Sequence, residues 1–152
     1  MPMKENTRDM LFQLDMDRRK AMKPYFGEIG LTVGQGQPRV LNRLLKDGPM
    51  SQRELADRCW MDVTTMSRTL DRLEKAGLIL REENPDCRRS YRIVLTKDGR
   101  EMAEKVQKGF QEMNRLMENG FSEEELALLK SFLSRIKDNI RDKDMSEIVK
   151  ST

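Results

Sequence analysis

A chain of 152 residues fills one hydrophobic core comfortably and leaves little for a second, so residues 1–152 read as a single domain. Charged residues make up 36% and aromatic residues 5%, with 12 methionines, a composition suited to long amphipathic helices and few strands. Histidine is absent, which removes the commonest acid-base side chain near neutral pH and the commonest metal ligand; no enzyme, metal or cofactor is expected.

No run approaches the roughly 18 apolar residues of a membrane span. The start MPMKENTRDM also lacks the apolar centre of a secretory signal, so the expectation is a cytoplasmic protein with no membrane partner. Two cysteines, Cys59 and Cys87, make neither a zinc cluster nor a disulfide framework. The net charge is only +3, but residues 39–100 hold 14 Lys and Arg against 10 Asp and Glu, while the remainder holds 15 against 16. The positive excess lies wholly in the middle of the chain, which makes nucleic acid a candidate partner.

In chain order, residues 7–23 read as a helix with a thin apolar stripe (Met10, Leu11, Leu14, Ala21, Met22), broken by Pro24 and Gly27. So sparse a stripe suits burial against another chain. Turn residues follow, and then Val40, Leu41, Leu44 and Leu45 mark a core-facing helix that stops at Gly48-Pro49. Gly34, Gly36 and Pro38 do not make a phosphate loop, since no Lys-Ser or Lys-Thr follows and no apolar strand precedes.

Ser51 and Glu54 form a capping box that opens a short helix with Leu55, Ala56 and Cys59 on one face. Trp60-Met61 is an apolar turn, and Asp62 is an N-cap for the next helix. There Val63, Met66, Leu70 and Leu73 recur at three, four and three, predicting one buried stripe. The opposite face carries Thr64, Thr65, Arg68, Asp71, Arg72 and Lys75, with Ser67 and Thr69 at its edges, and Gly77 suits the left-handed stop.

Residues 78–83 and 90–95 read as strands, with Tyr91, Ile93 and Leu95 alternating against Arg92 and Val94. Asn84-Pro85-Asp86 is turn chemistry followed at once by Cys87, Arg88 and Arg89, predicting a hairpin with an arginine-rich tip. Thr96 caps a helix over about 97–118 (Met102, Val106, Phe110, Met113, Met117). Ser122 and Glu125 make a second capping box, opening a helix with Leu126, Leu129, Phe132, Leu133, Ile136 and Ile140, and the charged tail from Arg141 is expected to fray.

Two helices joined by a tight turn, the second polar outside and followed by an arginine-bearing hairpin, make a winged helix-turn-helix. The predicted class is mainly α with a small β-hairpin wing, the winged core over 38–100 flanked by dimerisation helices at 1–30 and 101–145. In a major groove Thr64, Thr65, Ser67 and Arg68 offer hydroxyls and a guanidinium to base edges, Arg68 foremost, with Arg72 on a phosphate. Taken alone, Arg68, Asp71, Arg72 and Lys75 would equally suit a solvated face of i, i+4 ion pairs; the hairpin beside them tips the balance toward DNA. Cys87 beside Arg88 and Arg89 is an exposed thiol whose thiolate two cations would favour, with a redox role as the minor reading; Cys59 reads as a small buried hydrophobe.

The stretch SQRELADRCWMDVTTMSRTLDRLEKAGLILREENPDCRRSYRIVLTKDGRE resembles the DNA-binding core of the MarR family of bacterial regulators, above all in LDRLEKAGLI and in Asp86, Arg88, Leu95 and Thr96 of the wing. The resemblance implies a homodimer whose first and last helices interlock. It implies that Asp86 pairs with an arginine to shape the wing, that Arg88 or Arg89 enters the minor groove, and that double-stranded DNA is the partner. A small-molecule effector is allowed, in a pocket between the dimer helices and the winged domain. Two departures stand out: Gly34-Gln35-Gly36-Gln37 is longer and looser than the usual threonine-initiated helix start, and there is no N-terminal reactive cysteine like that of the peroxide-sensing members. The expected function is a transcriptional regulator, repressor ahead of activator, on a pseudo-palindromic site; the alternative is a winged-helix module that binds protein or RNA.

Overall fold

The computed structural model describes residues 4–31 and 36–152, and of residues 87–90 the backbone alone. The chain divides into two compact units, 1–113 and 114–152. In the first, α1 (Thr7–Glu28) starts at Asn6, whose side chain accepts from the Asp9 amide, and runs through Pro24 instead of stopping there. The last turn of α1 is held by packing that outweighs the lost amide donor of proline. Met22 and Phe26 are buried, Phe26 meets Phe110 edge-on at 5.8 Å, and the Tyr25 hydroxyl donates to the Lys105 carbonyl at 2.7 Å.

Helix α2 (Gln37–Asp47) begins after Gly36 and ends at Gly48, both with positive φ, and buries Val40, Leu41 and Leu44 as its spacing predicts. Strand β1 (Met50–Ser51) leads directly into α3 (Gln52–Arg58), with the Ser51 hydroxyl accepting from the Glu54 amide at 3.2 Å. Leu55, Ala56 and Cys59 are buried. Helix α3 closes with Trp60 N–H on the Asp57 carbonyl and Met61 N–H on the Ala56 carbonyl. That pair of bonds needs a left-handed residue, usually glycine; here it is Trp60, at φ 52 and 78% exposed.

Helix α4 (Val63–Lys75) buries Met66, Thr69, Leu70 and Leu73. Two positions differ from the predicted stripe. Val63 is 61% exposed, because side chains lean toward a helix's N-terminus and the first residue of α4 has no preceding turn to lean on. Thr69 is fully buried, and its hydroxyl donates to the Thr65 carbonyl at 2.8 Å, which satisfies it inside the core.

The chain then forms an antiparallel hairpin, β2 (Ile79–Asn84) and β3 (Cys87–Leu95), in a three-stranded sheet of order β1-β3-β2. Its register runs from Ile79 opposite Leu95 to Glu83 opposite Tyr91, shifts at Glu83/Asn84, and closes with Asn84 opposite Cys87. The turn is therefore Pro85-Asp86, and Arg88 and Arg89 belong to the strand β3 backbone instead of the tip. Ile93 is fully buried, whereas Tyr91, expected on the same inner face, is 56% exposed. Strand β1 covers β3 only at Ile93 and Arg92, so the inner face of the hairpin beyond them runs clear of the core.

Helix α5 (Lys97–Glu118) buries Gly99, Ala103 and Val106 in the first unit. The Thr96 hydroxyl accepts from the Gly99 amide at 2.9 Å and donates to the Gly77 carbonyl at 2.6 Å, joining the end of α4 to the start of α5. In the second unit, α6 (Glu123–Ile140) opens with the full Ser122/Glu125 capping box. The tail is ordered further than expected: α7 (Met145–Lys150) forms, capped by Asp144 accepting from the Ser146 amide. Neither α6 nor α7 has a buried residue.

Gly99 sits so close to the backbone just before β2 that a Cβ there would overlap the Leu78 carbonyl, whereas nothing lies within 4 Å of a Cβ at Gly27. Gly99→Ala is expected to cost about 1–3 kcal/mol through overpacking, and Gly27→Ala to gain about 0.5–1 kcal/mol as a helix substitution. Urea denaturation of the two variants checks this, and equal midpoints would mean that the Leu78 backbone yields freely.

Candidate nucleic-acid interface

The outer face of α4 begins at its cap. Asp62 accepts the Thr65 amide at 2.8 Å and the Thr65 hydroxyl at 2.7 Å. The Thr65 proton is thus committed to Asp62, and its oxygen is left to accept. Thr64, Arg68 and Arg72 are exposed and Ser67 is half-buried. Of the acidic residues on this helix, Asp71 and Glu74 are both held by one strand residue, Arg81, at 2.8 and 3.1 Å. Among the described residues neither Arg68 nor Arg72 is in an ion pair, so the i, i+4 pairing of a merely solvated face is not what α4 shows. Two guanidinium groups are left on the outer face while the neighbouring carboxylates are turned to the wing.

The wing itself is placed by its backbone. The Asp86 amide donates to the Asn84 side chain at 3.0 Å, fixing the turn, and Arg92 lies 3.5 Å from Glu82 across the hairpin. The side chains of Arg88, Arg89 and Cys87, and with them the expected arginine partner of Asp86, lie outside the described residues. Cys59 is fully buried, and burial pushes its thiol pKa up, as befits an inert core thiol.

A polypeptide of this layout has many relatives. A sequence model described as the MarR family matches residues 34–91. The transcriptional repressor YetL of Bacillus subtilis (strain 168) is 31% identical over 116 residues, which span 76% of this chain and 69% of YetL. The chain belongs to the MarR family. The transcriptional regulator FarR of Neisseria gonorrhoeae is 25% identical over 114 residues, 75% of this chain and 77% of FarR. Among solved structures, a putative MarR family transcriptional regulator from Listeria monocytogenes, crystallised with a 26mer DNA, superposes with a TM-score of 0.79 at 28% identity. That match covers 92% of this chain and 91% of the other. The protein is accordingly a winged-helix, DNA-binding transcriptional regulator and not an enzyme.

Beside the start of α4 this MarR-family chain has a cavity of about 290 Å³ within residues 1–113. Arg18, Arg19 and Arg39 give it positive charge, and Met22, Phe26 and Phe110 an apolar wall. Arg18 and Arg19 both bond Asp15, at 2.6 and 2.9 Å, and these contacts, the Arg18 hydrogen bond first, hold its carboxyl below the usual range. Arg39 donates to the Cys59 carbonyl at 2.7 Å, so the cavity touches the end of α3, and Thr65 brings α4 to it as well. Residue type alone does not reveal this site, since its arginines come from α1 and α2, far apart in the chain; their convergence needs the fold.

Hydrogen bonds from the Thr65 amide and then the Thr65 hydroxyl hold the Asp62 carboxyl below the ordinary carboxylate range. Its folded pKa is depressed, so the cap contributes fully above the unfolded value of about 4 and is lost as pH falls through the folded value. The Thr65 amide resonance is expected to shift in an acid step with its midpoint below about 4. Asp62→Asn, which keeps a capping oxygen, is expected to remove that step; a Thr65 titration that survives the substitution would assign it to another group.

Proposed function

We propose that the chain represses transcription in the cytoplasm as a homodimer, each protomer laying α4 in a major groove and its β2–β3 hairpin against the adjoining minor groove of a pseudo-palindromic site. The observation that carries the assignment is the division of charge on α4: Asp71 and Glu74 tied to Arg81, Arg68 and Arg72 left outward. Arg68, near the start of the helix with Thr64, Thr65 and Ser67, reads base edges, and Arg72 takes a phosphate. Arg88 and Arg89 of β3 supply the wing contacts, with Asp86 shaping the turn between strands.

Dimerisation rests on exposed apolar surface. In α1, Met10, Leu11, Phe12 and Leu14 face solvent, and in the second unit Leu128, Leu129 and Phe132 do so. Faces of this extent are normally covered, and a second copy interlocking helices within 1–30 and 101–145 covers them. Light scattering is expected to return about 36 kDa, twice the 17.8 kDa of one chain, and footprinting two related half-sites roughly 34 Å apart. On a duplex selected from a random pool, Arg68→Ala is expected to narrow the gap between cognate and scrambled sequences by about 1–3 kcal/mol. A monomer, or an unchanged gap, would contradict the respective half of the assignment.

The arginine-rich cavity suits an effector that joins an anionic group to an apolar ring. Benzoate is a minimal probe: it is expected to raise the thermal midpoint of the wild type in a concentration-dependent way and to leave Arg39→Met unmoved. An identical response from both proteins would place its binding elsewhere.

A further inference from the structure

Two residues of the winged core that periodicity places inside and the structure places outside, Val63 and Tyr91, line one and the same open groove. It measures about 650 Å³ and lies between the helix-turn-helix and the hairpin, with Gln52, Arg53 and Asn84 along its other walls. Val63 is the first residue of α4, and Tyr91 lies on β3 opposite Glu83, so the groove separates the two elements assigned to DNA. Local rules tend to fail where a surface is kept for function. Here two such failures meet.

On duplex DNA a major groove and the minor groove next to it are divided by one sugar–phosphate strand. A protein that puts a helix in the first and a hairpin in the second must leave a channel for that strand. We propose that the Val63/Tyr91 groove is this channel, with Arg53 on a phosphate and the Val63 methyls and Tyr91 ring against deoxyribose. The proposal rests on the assignment of α4 and the hairpin made above.

The chemistry of the walls fits such an occupant. Deoxyribose presents C–H surface, which an aliphatic side chain and an aromatic ring cover without reading sequence, and phosphate oxygens accept from guanidinium. Arg53 is exposed and, among the described residues, in no ion pair, unlike Arg58 on the same helix, which bonds Asp47 at 2.9 Å. Glu54 also lines the groove, but its carboxylate is engaged by the Ser51 hydroxyl at 3.4 Å.

The test uses the full chain and a duplex selected from a random pool, with single methylphosphonate linkages, which carry no charge, scanned along each strand. Arg53→Ala is expected to shallow the salt slope by about one and to be insensitive to neutralisation at one linkage where the wild type loses affinity. Val63→Ser and Tyr91→Ala are expected to weaken cognate and scrambled duplexes alike, roughly three- to tenfold, and Tyr91→Phe to recover most of the Tyr91→Ala loss. The inference is overturned if Arg53→Ala and every methylphosphonate act additively, or if the Val63 and Tyr91 variants change the cognate-to-scrambled ratio, which would make them base contacts. Arg68→Ala is measured alongside: an unchanged ratio there, or no duplex binding by the wild type, brings down the parent assignment as well, whereas a normal Arg68 result with additive Arg53 data removes the channel alone.

Discussion

The hydroxyl of Thr96 is where the first compact unit is tied together. It donates to the Gly77 carbonyl just after α4 and accepts the Gly99 amide in the first turn of α5, while the Thr96 amide donates to the Leu78 carbonyl. One residue therefore fixes the end of α4, the root of the hairpin and the start of α5 against one another. The tightness of Gly99 under Leu78 belongs to the same junction. The docking proposed for α4 and the hairpin needs a fixed angle between them, and this joint sits at the point where they meet.

Electrostatics on the winged core follow a consistent division. Cations that serve the fold are paired: Arg43 and Arg58 share Asp47, Arg81 holds Asp71 and Glu74, and Arg92 lies near Glu82. The Arg58 hydrogen bond above all keeps the Asp47 carboxyl below its usual range. Exposed pairs of this sort contribute little stability each. Their larger effect is to neutralise carboxylates that would repel a phosphate backbone, leaving the guanidinium groups of Arg53, Arg68 and Arg72 to set the local field.

Much of this was legible in the sequence because it is written in short-range chemistry. The caps at Ser51, Asp62, Thr96 and Ser122 all form, and most of the stripes of α2 and α4 are buried as spaced. What escaped is what depends on distant neighbours. Periodicity cannot know that Val63 lacks a preceding turn, that β1 is too short to cover Tyr91, or that Phe110 and Lys105 hold α1 past Pro24. At the candidate site, Arg68 and Arg72 stood out by position on the helix, whereas Arg53 and the Arg18, Arg19 and Arg39 cluster acquire meaning only from the surfaces that folding brings beside them.

The left-handed residue that ends α3 has a spectroscopic consequence. Glycine would sit there without strain, but the chain places its single tryptophan at φ 52 with the indole largely in water, two residues before the cap of α4. Every tryptophan photon this protein emits comes from the helix-turn-helix corner. Changes in solvent or neighbours at that corner will register in the emission spectrum with no background from any other indole, so the fold carries its own optical label at the point where the two helices of the motif meet.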